Sequence, residues 1–182
     1  LHSLSRQDSA VNFEQSCMRF RGPLDISALR KAWMLVFDRH TVLRTVFRWR
    51  GLRHPLQLVR RFARPPVELD SWPTFSAERL EQRLAEDRAV GFDLEAGPLA
   101  RLILIRVSAS EAYLIASLHH MLADGWCRAQ LEREARSAYE AFRRGIPPAL
   151  QPPARFRDFI AWSSTVERTG MREAFVPLLA GA

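Results

Sequence analysis

The chain has 182 residues, 47% of them hydrophobic and 26% charged, which suits a soluble globular lobe with a real core and excludes a disordered or collagen-like chain. Its 27 Lys and Arg against 20 Asp and Glu give a net charge of +7. All the cations except Lys31 are Arg spread along the chain, so the charge reads as a solvated surface and no nucleic-acid partner is expected. No apolar run reaches the roughly 20 residues of a membrane helix, and Ser5–Ser9 is polar where a signal peptide would be apolar. Cys17 and Cys127 stand far apart with no C-x-x-C spacing, so no metal site is expected and a reducing, cytoplasmic setting fits best.

Residues 12–21 read as a strand closed by the turn signal Gly22-Pro23. Asp25 caps a helix running to about His40, with Leu29, Trp33, Val36 and Phe37 as its buried stripe. Leu43–Arg50 and Leu56–Phe62 read as strands separated at Gly51, and Ala63–Thr74, with Pro65, Pro66 and Pro73, as a connector. Ser76 opens a second helix with Leu80, Leu84 and Val90 on one face and charges on the other. After the turn region Gly91–Pro98, Leu99–Val107 and Ala112–His119 read as a hairpin inside a sheet. A long helix follows Ala123-Asp124-Gly125 and stops at Gly145. A proline-rich link leads to a helix over Phe156–Val166 and a last helix-like piece reaching Leu178-Leu179. The chain is α+β, mixed rather than strictly alternating.

Chemically capable residues concentrate at one place, Leu118–Trp126, where an apolar strand ends and a helix begins. His119 and His120 must point to opposite faces of the strand, and His120 shares its face with Leu118, Ala116 and Leu114. Asp124 can fold back across the turn, and the N–H of Gly125 lies where a helix N-terminus would stabilise a developing oxyanion. A histidine beside such a donor suits acyl transfer. The same residues also fit a plain reading: one core histidine, one surface histidine, and an Asp-Gly cap and turn. Cys127 is a weaker candidate nucleophile, and diverging histidines with no third ligand nearby do not suit a metal.

The segment His119–Gly125 (HHMLADG) matches the HHxxxDG signature of nonribosomal peptide synthetase condensation domains. Arg39–Phe47 (RHTVLRTVF) resembles that family's RHxxLRTxF element, Phe92–Arg101 (FDLEAGPLAR) its FDLxxGPLxR element, and Phe156–Trp162 (FRDFIAW) its YxDYAVW element. The four stand in the family's order. The resemblance implies a chloramphenicol acetyltransferase-like fold of two lobes, with residues 1–182 as the N-terminal lobe. The family's opening SxAQxRLW element and the C-terminal lobe are not in the sequence. The Leu1 start reads as an excerpt of a multidomain synthetase.

In such domains an aminoacyl group on a downstream peptidyl carrier protein attacks an acyl or peptidyl thioester on an upstream one. Each substrate rides on the carrier's phosphopantetheine arm, so no cofactor bound by this lobe is expected. The expected partners are both carriers, the C-terminal lobe and a neighbouring adenylation domain. By resemblance His120 is the catalytic histidine, His119 supports it, and Gly125 keeps the donor tunnel open near the thioester carbonyl. Asp124 is expected to be a buried carboxylate paired with an arginine, Arg39 first and Arg44 second. Phe47, Phe92, Leu94 and Trp162 are expected in the core. The histidines argue against heterocyclisation, while an epimerisation or ester-forming relative and a non-catalytic carrier-docking lobe stand as alternatives.

Overall fold

A computed structural model describes residues 12–165. The chain divides into two compact units, residues 1–151 and 152–182, each described by itself.

In the first unit, strand β1 (Phe13–Arg21) is followed by helix α1 (Ile26–Arg39), a 3-10 turn (Thr41–Arg44) and strands β2 (Thr45–Arg48), β3 (Leu56–Val59) and β4 (Val67–Ser71). Helix α2 (Ala77–Val90), strands β5 (Ala100–Ser108) and β6 (Glu111–His119) and helix α3 (Gly125–Arg143) complete it. The main sheet has the order β1-β6-β5-β4, with β4 parallel to β5 and the other pairs antiparallel; β2 and β3 form a separate ribbon. In the second unit, α4 spans Phe156–Thr165. The last helix-like piece expected from the sequence lies outside the described residues. Among the described residues no helix is long and apolar enough to cross a membrane.

The hairpin strands β5 and β6 are apolar on both faces because both faces are covered. Leu102, Leu104, Leu114, Ala116 and Leu118 join Trp33, Val36 and Phe37 of α1 and Leu131, Ala135 and Tyr139 of α3 in one core. Ile103, Ile105, Tyr113 and Ile115 pack with Trp72, Leu80 and Leu84 in a second core on the α2 side. The stripe expected along α1 is buried: Leu29, Trp33, Val36 and Phe37 are each at most 5% exposed. Asp25 caps that helix by accepting from the Ala28 N–H at 2.9 Å.

Three expectations are corrected. The connector Ala63–Thr74 contains β4, whose residues Val67–Ser71 pair with Leu102–Arg106. Pro66 and Pro73 bracket this strand rather than break it, and its exposed Glu68 and Leu69 suit an edge. Val90 is 76% exposed, and the inward face of α2 carries the partly buried Leu80 and Leu84 and the buried carboxylate Asp87. Trp162, expected in a core, is 61% exposed on α4, whereas Phe47, Phe92 and Leu94 do pack against the main core.

Gly97 adopts φ +52°, and a Cβ there would stand 2.7 Å from Cγ1 of Val46, a buried side chain. Gly97→Ala therefore combines backbone strain with overpacking. It should lower stability by about 1–3 kcal/mol in urea unfolding; an unchanged midpoint would contradict this packing.

Candidate active site

The site lies where β6 ends and α3 begins. The β1–β6 register sets Phe13 opposite His119 and Glu14 opposite Leu118, bringing the start of β1 beside the histidine pair. As alternation requires, the two histidines diverge. His119 is 3% exposed, whereas the side chain of His120 is 47% exposed.

His119 is held as a neutral ring. Its Nδ1 accepts the Met121 N–H at 3.1 Å, which requires that nitrogen to be unprotonated. The ring meets Phe92 edge-on at 6.4 Å, Phe92 stacks on Phe13 at 5.2 Å, and the Arg101 guanidinium sits over Phe92 at 4.7 Å. Burial pushes the His119 pKa below the usual imidazole value, with the neighbouring charge of His120 as a second cause. The unfolded chain gains this proton at about pH 6.5 and the folded chain only at lower pH. The unfolded state thus binds more protons as pH falls below that value, and stability declines there. Urea unfolding between about pH 7.5 and 5 should show a downward slope that His119→Gln reduces; equal slopes would contradict a buried neutral His119.

Behind His119 lies a buried polar cluster. Asp87, 2% exposed, pairs with Arg101 and accepts from Gln15 Nε2 at 2.7 Å and from Ser117 Oγ. Arg101 Nη1 also donates to the Gly91 carbonyl at 2.9 Å. One carboxylate thereby joins α2 to β1, β5 and β6 directly beneath the site.

His120 Nδ1 lies 3.0 Å from the Ala123 carbonyl oxygen and 3.4 Å from Oε1 of Glu14. Both are acceptors, so in the neutral ring Nδ1 carries the proton and Nε2 holds the free lone pair. A reacting amine would meet a base, not a donor.

Asp124 differs from the expectation. It is exposed and is the N-cap of α3, accepting the Cys127 N–H at 2.8 Å. These backbone donors hold its carboxyl below the usual range. Neither expected arginine meets it. Arg39 Nε pairs with Glu134 at 3.2 Å, beside His40, whose Nε2 is 2.9 Å from the same carboxylate. Arg44 is used by backbone carbonyls, among them that of Arg61 at 3.1 Å. The physical reason is position: Arg39 ends α1 against the middle of α3, where Glu134 stands roughly 15 Å along that helix from its cap. Gly125 is exposed, with no positive φ, and a Cβ there would meet nothing within 4 Å among the described residues. No packing among those residues demands glycine, and the space before it is open. Burial, first, and the Asp124 carboxylate raise the Cys127 thiol above its ordinary pKa, which does not suit an activated nucleophile.

Two charged residues beside His120 were not found by sequence reasoning: Glu14 and Arg128, whose Nε is 3.6 Å from Oε2 of Glu14. Neither belongs to a local motif, and only the β1–β6 register and the first turn of α3 bring them to His120.

The family model described as Condensation domain matches residues 1–174. A linear gramicidin synthase protein of Brevibacillus parabrevis is 34% identical over 99% of the chain, which spans 4% of that protein. Bacitracin synthase 1 of Bacillus licheniformis is 30% identical over 95% of the chain, spanning 3% of that protein. Among solved structures, the SgcC5 protein of Streptomyces globisporus superposes with TM-score 0.80 at 28% identity, covering 94% of this chain and 40% of that one. The first condensation domain of the calcium-dependent antibiotic synthetase has TM-score 0.83 at 16% identity, covering 98% and 46%, a likeness of fold. The chain thus spans a few per cent of these curated relatives and less than half of these solved chains. With a family match over nearly its whole length and the α+β, chloramphenicol acetyltransferase-like fold that the motifs imply, the chain belongs to the condensation domain family of nonribosomal peptide synthetases.

Proposed function

We propose that the protein forms peptide bonds in nonribosomal peptide synthesis, with this chain supplying the histidine side of the active site as the N-terminal lobe of a two-lobe domain. The observation that carries this reading is the 3.0 Å approach of His120 Nδ1 to the Ala123 carbonyl oxygen, an acceptor that assigns the proton to Nδ1 and leaves Nε2 of this half-exposed ring as a base. The amine of a carrier-bound aminoacyl group attacks the carbonyl carbon of the upstream thioester. A C–N bond forms, the C–S bond breaks, and the pantetheine sulfur leaves as a thiol with the proton released by the amine. His120 Nε2 orients the amine or takes that proton in passing. The open space at Gly125 leaves room for the pantetheine arm.

The partners in this reading are upstream and downstream peptidyl carrier proteins, the C-terminal lobe and an adenylation domain. The substrates come on the carriers' phosphopantetheine arms, and a reducing cytoplasm suits Cys17 and Cys127, both free thiols. Reconstitution tests it. With full-length protein, an acyl-loaded upstream carrier and an aminoacyl-loaded downstream carrier, intact mass should show the acyl group moving downstream. Acyl groups remaining upstream, with folded protein and both carriers loaded, would overturn the reading.

A further inference from the structure

A chain of charges runs from α3 through β1 to His120. Ser16 Oγ donates to Glu132 Oε1 at 2.7 Å, and Arg128 Nη1 donates to the same oxygen at 2.8 Å. Arg128 Nε stands 3.6 Å from Glu14 Oε2, and Glu14 Oε1 stands 3.4 Å from His120 Nδ1. Arg128 Nε is buried and has no hydrogen-bond partner among the described residues. A buried donor left unpaired is costly, and the carboxylate 3.6 Å from it is the same one that faces His120. Glu14 is therefore placed between two cationic or donor groups, one fixed by α3 and one the reacting ring.

We propose that Glu14, held by Arg128, is a positioning residue for His120. This rests on the reading of His120 as the histidine that meets the amine. Glu14 sets a negative charge 3.4 Å from Nδ1, beside the Ala123 carbonyl that takes its proton, so the ring keeps the tautomer with its lone pair on Nε2. When Nε2 takes a proton from the amine, the carboxylate lies against the imidazolium formed and lowers its energy. Glu14 itself neither gains nor loses a proton. Arg128 keeps the carboxylate from turning to solvent, and Ser16 and Glu132 in turn fix Arg128. The arrangement is the carboxylate–imidazole logic of acyl-transfer enzymes, built here from the first turn of a helix and the start of an edge strand.

The test uses full-length protein, with loaded carriers as substrates and 15N-histidine labelling. Glu14→Gln keeps the size and removes the charge. It should lower kcat for acyl transfer about tenfold while the KM for the downstream carrier stays unchanged. Glu14→Ala removes the carboxylate altogether. It should lower kcat at least as much and raise the Nε2–H fraction of His120, read from its ring 15N shifts. Because Glu14 is partly exposed and Arg128 keeps Glu132 as a partner, both variants should stay folded, with a thermal transition within a few degrees of the wild type. An unchanged kcat in Glu14→Gln, or an unchanged His120 tautomer population in Glu14→Ala, would overturn the role. The tautomer is read without turnover, so it decides separately from peptide-bond formation. A wild type that transfers nothing, yet shows the tautomer shift, would refute the reaction and leave the Glu14–His120 contact standing.

Discussion

Arg101→Met should destabilise the protein by about 3–5 kcal/mol, enough to lower Tm by about 10 °C and to consume much of the 5–15 kcal/mol typical of a domain. The Asp87 side chain is 1% exposed and that of Arg101 17% exposed, so solvent screens little of this pair. Methionine fills the volume of the arginine stem and continues to pack near Phe92 and Phe13, but it leaves a buried carboxylate with only the Gln15 and Ser117 donors. The penalty arises from the stranded charge rather than from the missing attraction. For that reason Asp87→Asn added to Arg101→Met should recover part of the stability, a coupling visible in a double-mutant cycle by urea unfolding. If Arg101→Met unfolds at the wild-type midpoint, or the double variant is worse by the simple sum, the buried pair is not what joins α2 to the sheet.

His120→Ala should behave in the opposite way, with a large kinetic effect and a small structural one. The side chain is 47% exposed, and its hydrogen bond to the Ala123 carbonyl is the main interaction that the substitution removes. One such bond is worth about 0.5–1.5 kcal/mol, a shift of a few degrees in Tm. Removing a positioned general base typically lowers a rate by about 10²–10⁴-fold. Acyl transfer should fall within that range while the protein stays folded and still binds its carriers. His119→Ala should reverse the balance, because its buried ring supports the Phe92–Phe13 stack and the strand end. A comparable drop in rate from both, with stability unchanged in either, would mean that the division of labour between the histidines is wrong.

The helices were legible because their signals are local. Asp25 and Ser76 cap α1 and α2 by accepting from the third residue onward, and Asp124 does the same for α3. The β5–β6 hairpin was legible because a strand buried on both faces is continuously apolar. The strand β4 was not, since an edge strand carries charge, and the flanking prolines look like a connector. The place of Asp87 was invisible for a related reason: on a helix a buried charge is distinguished from a solvated one only by its partners, and these lie on three different strands. The HHxxxDG spacing pointed to the end of β6 and the start of α3, where the structure places His119, His120, Asp124 and Gly125. Spacing could not say what each would touch. Asp124 took the helix cap, the nearest unsatisfied N–H groups being three residues away, and Arg39 found Glu134 because α1 packs along α3. Glu14 depends on pairing with a strand about a hundred residues later in the chain, and no local pattern encodes that.

In the function proposed for the protein, His120 Nε2 serves the amine as it attacks the thioester. The most direct measurement is single-turnover transfer between loaded carriers, followed by intact mass, for full-length wild type and His120→Ala side by side. The acyl group should move rapidly to the downstream carrier in the wild type and at a rate at least about 100-fold lower in the variant, with thermal transitions within a few degrees of each other. Equal rates in two folded proteins would contradict it.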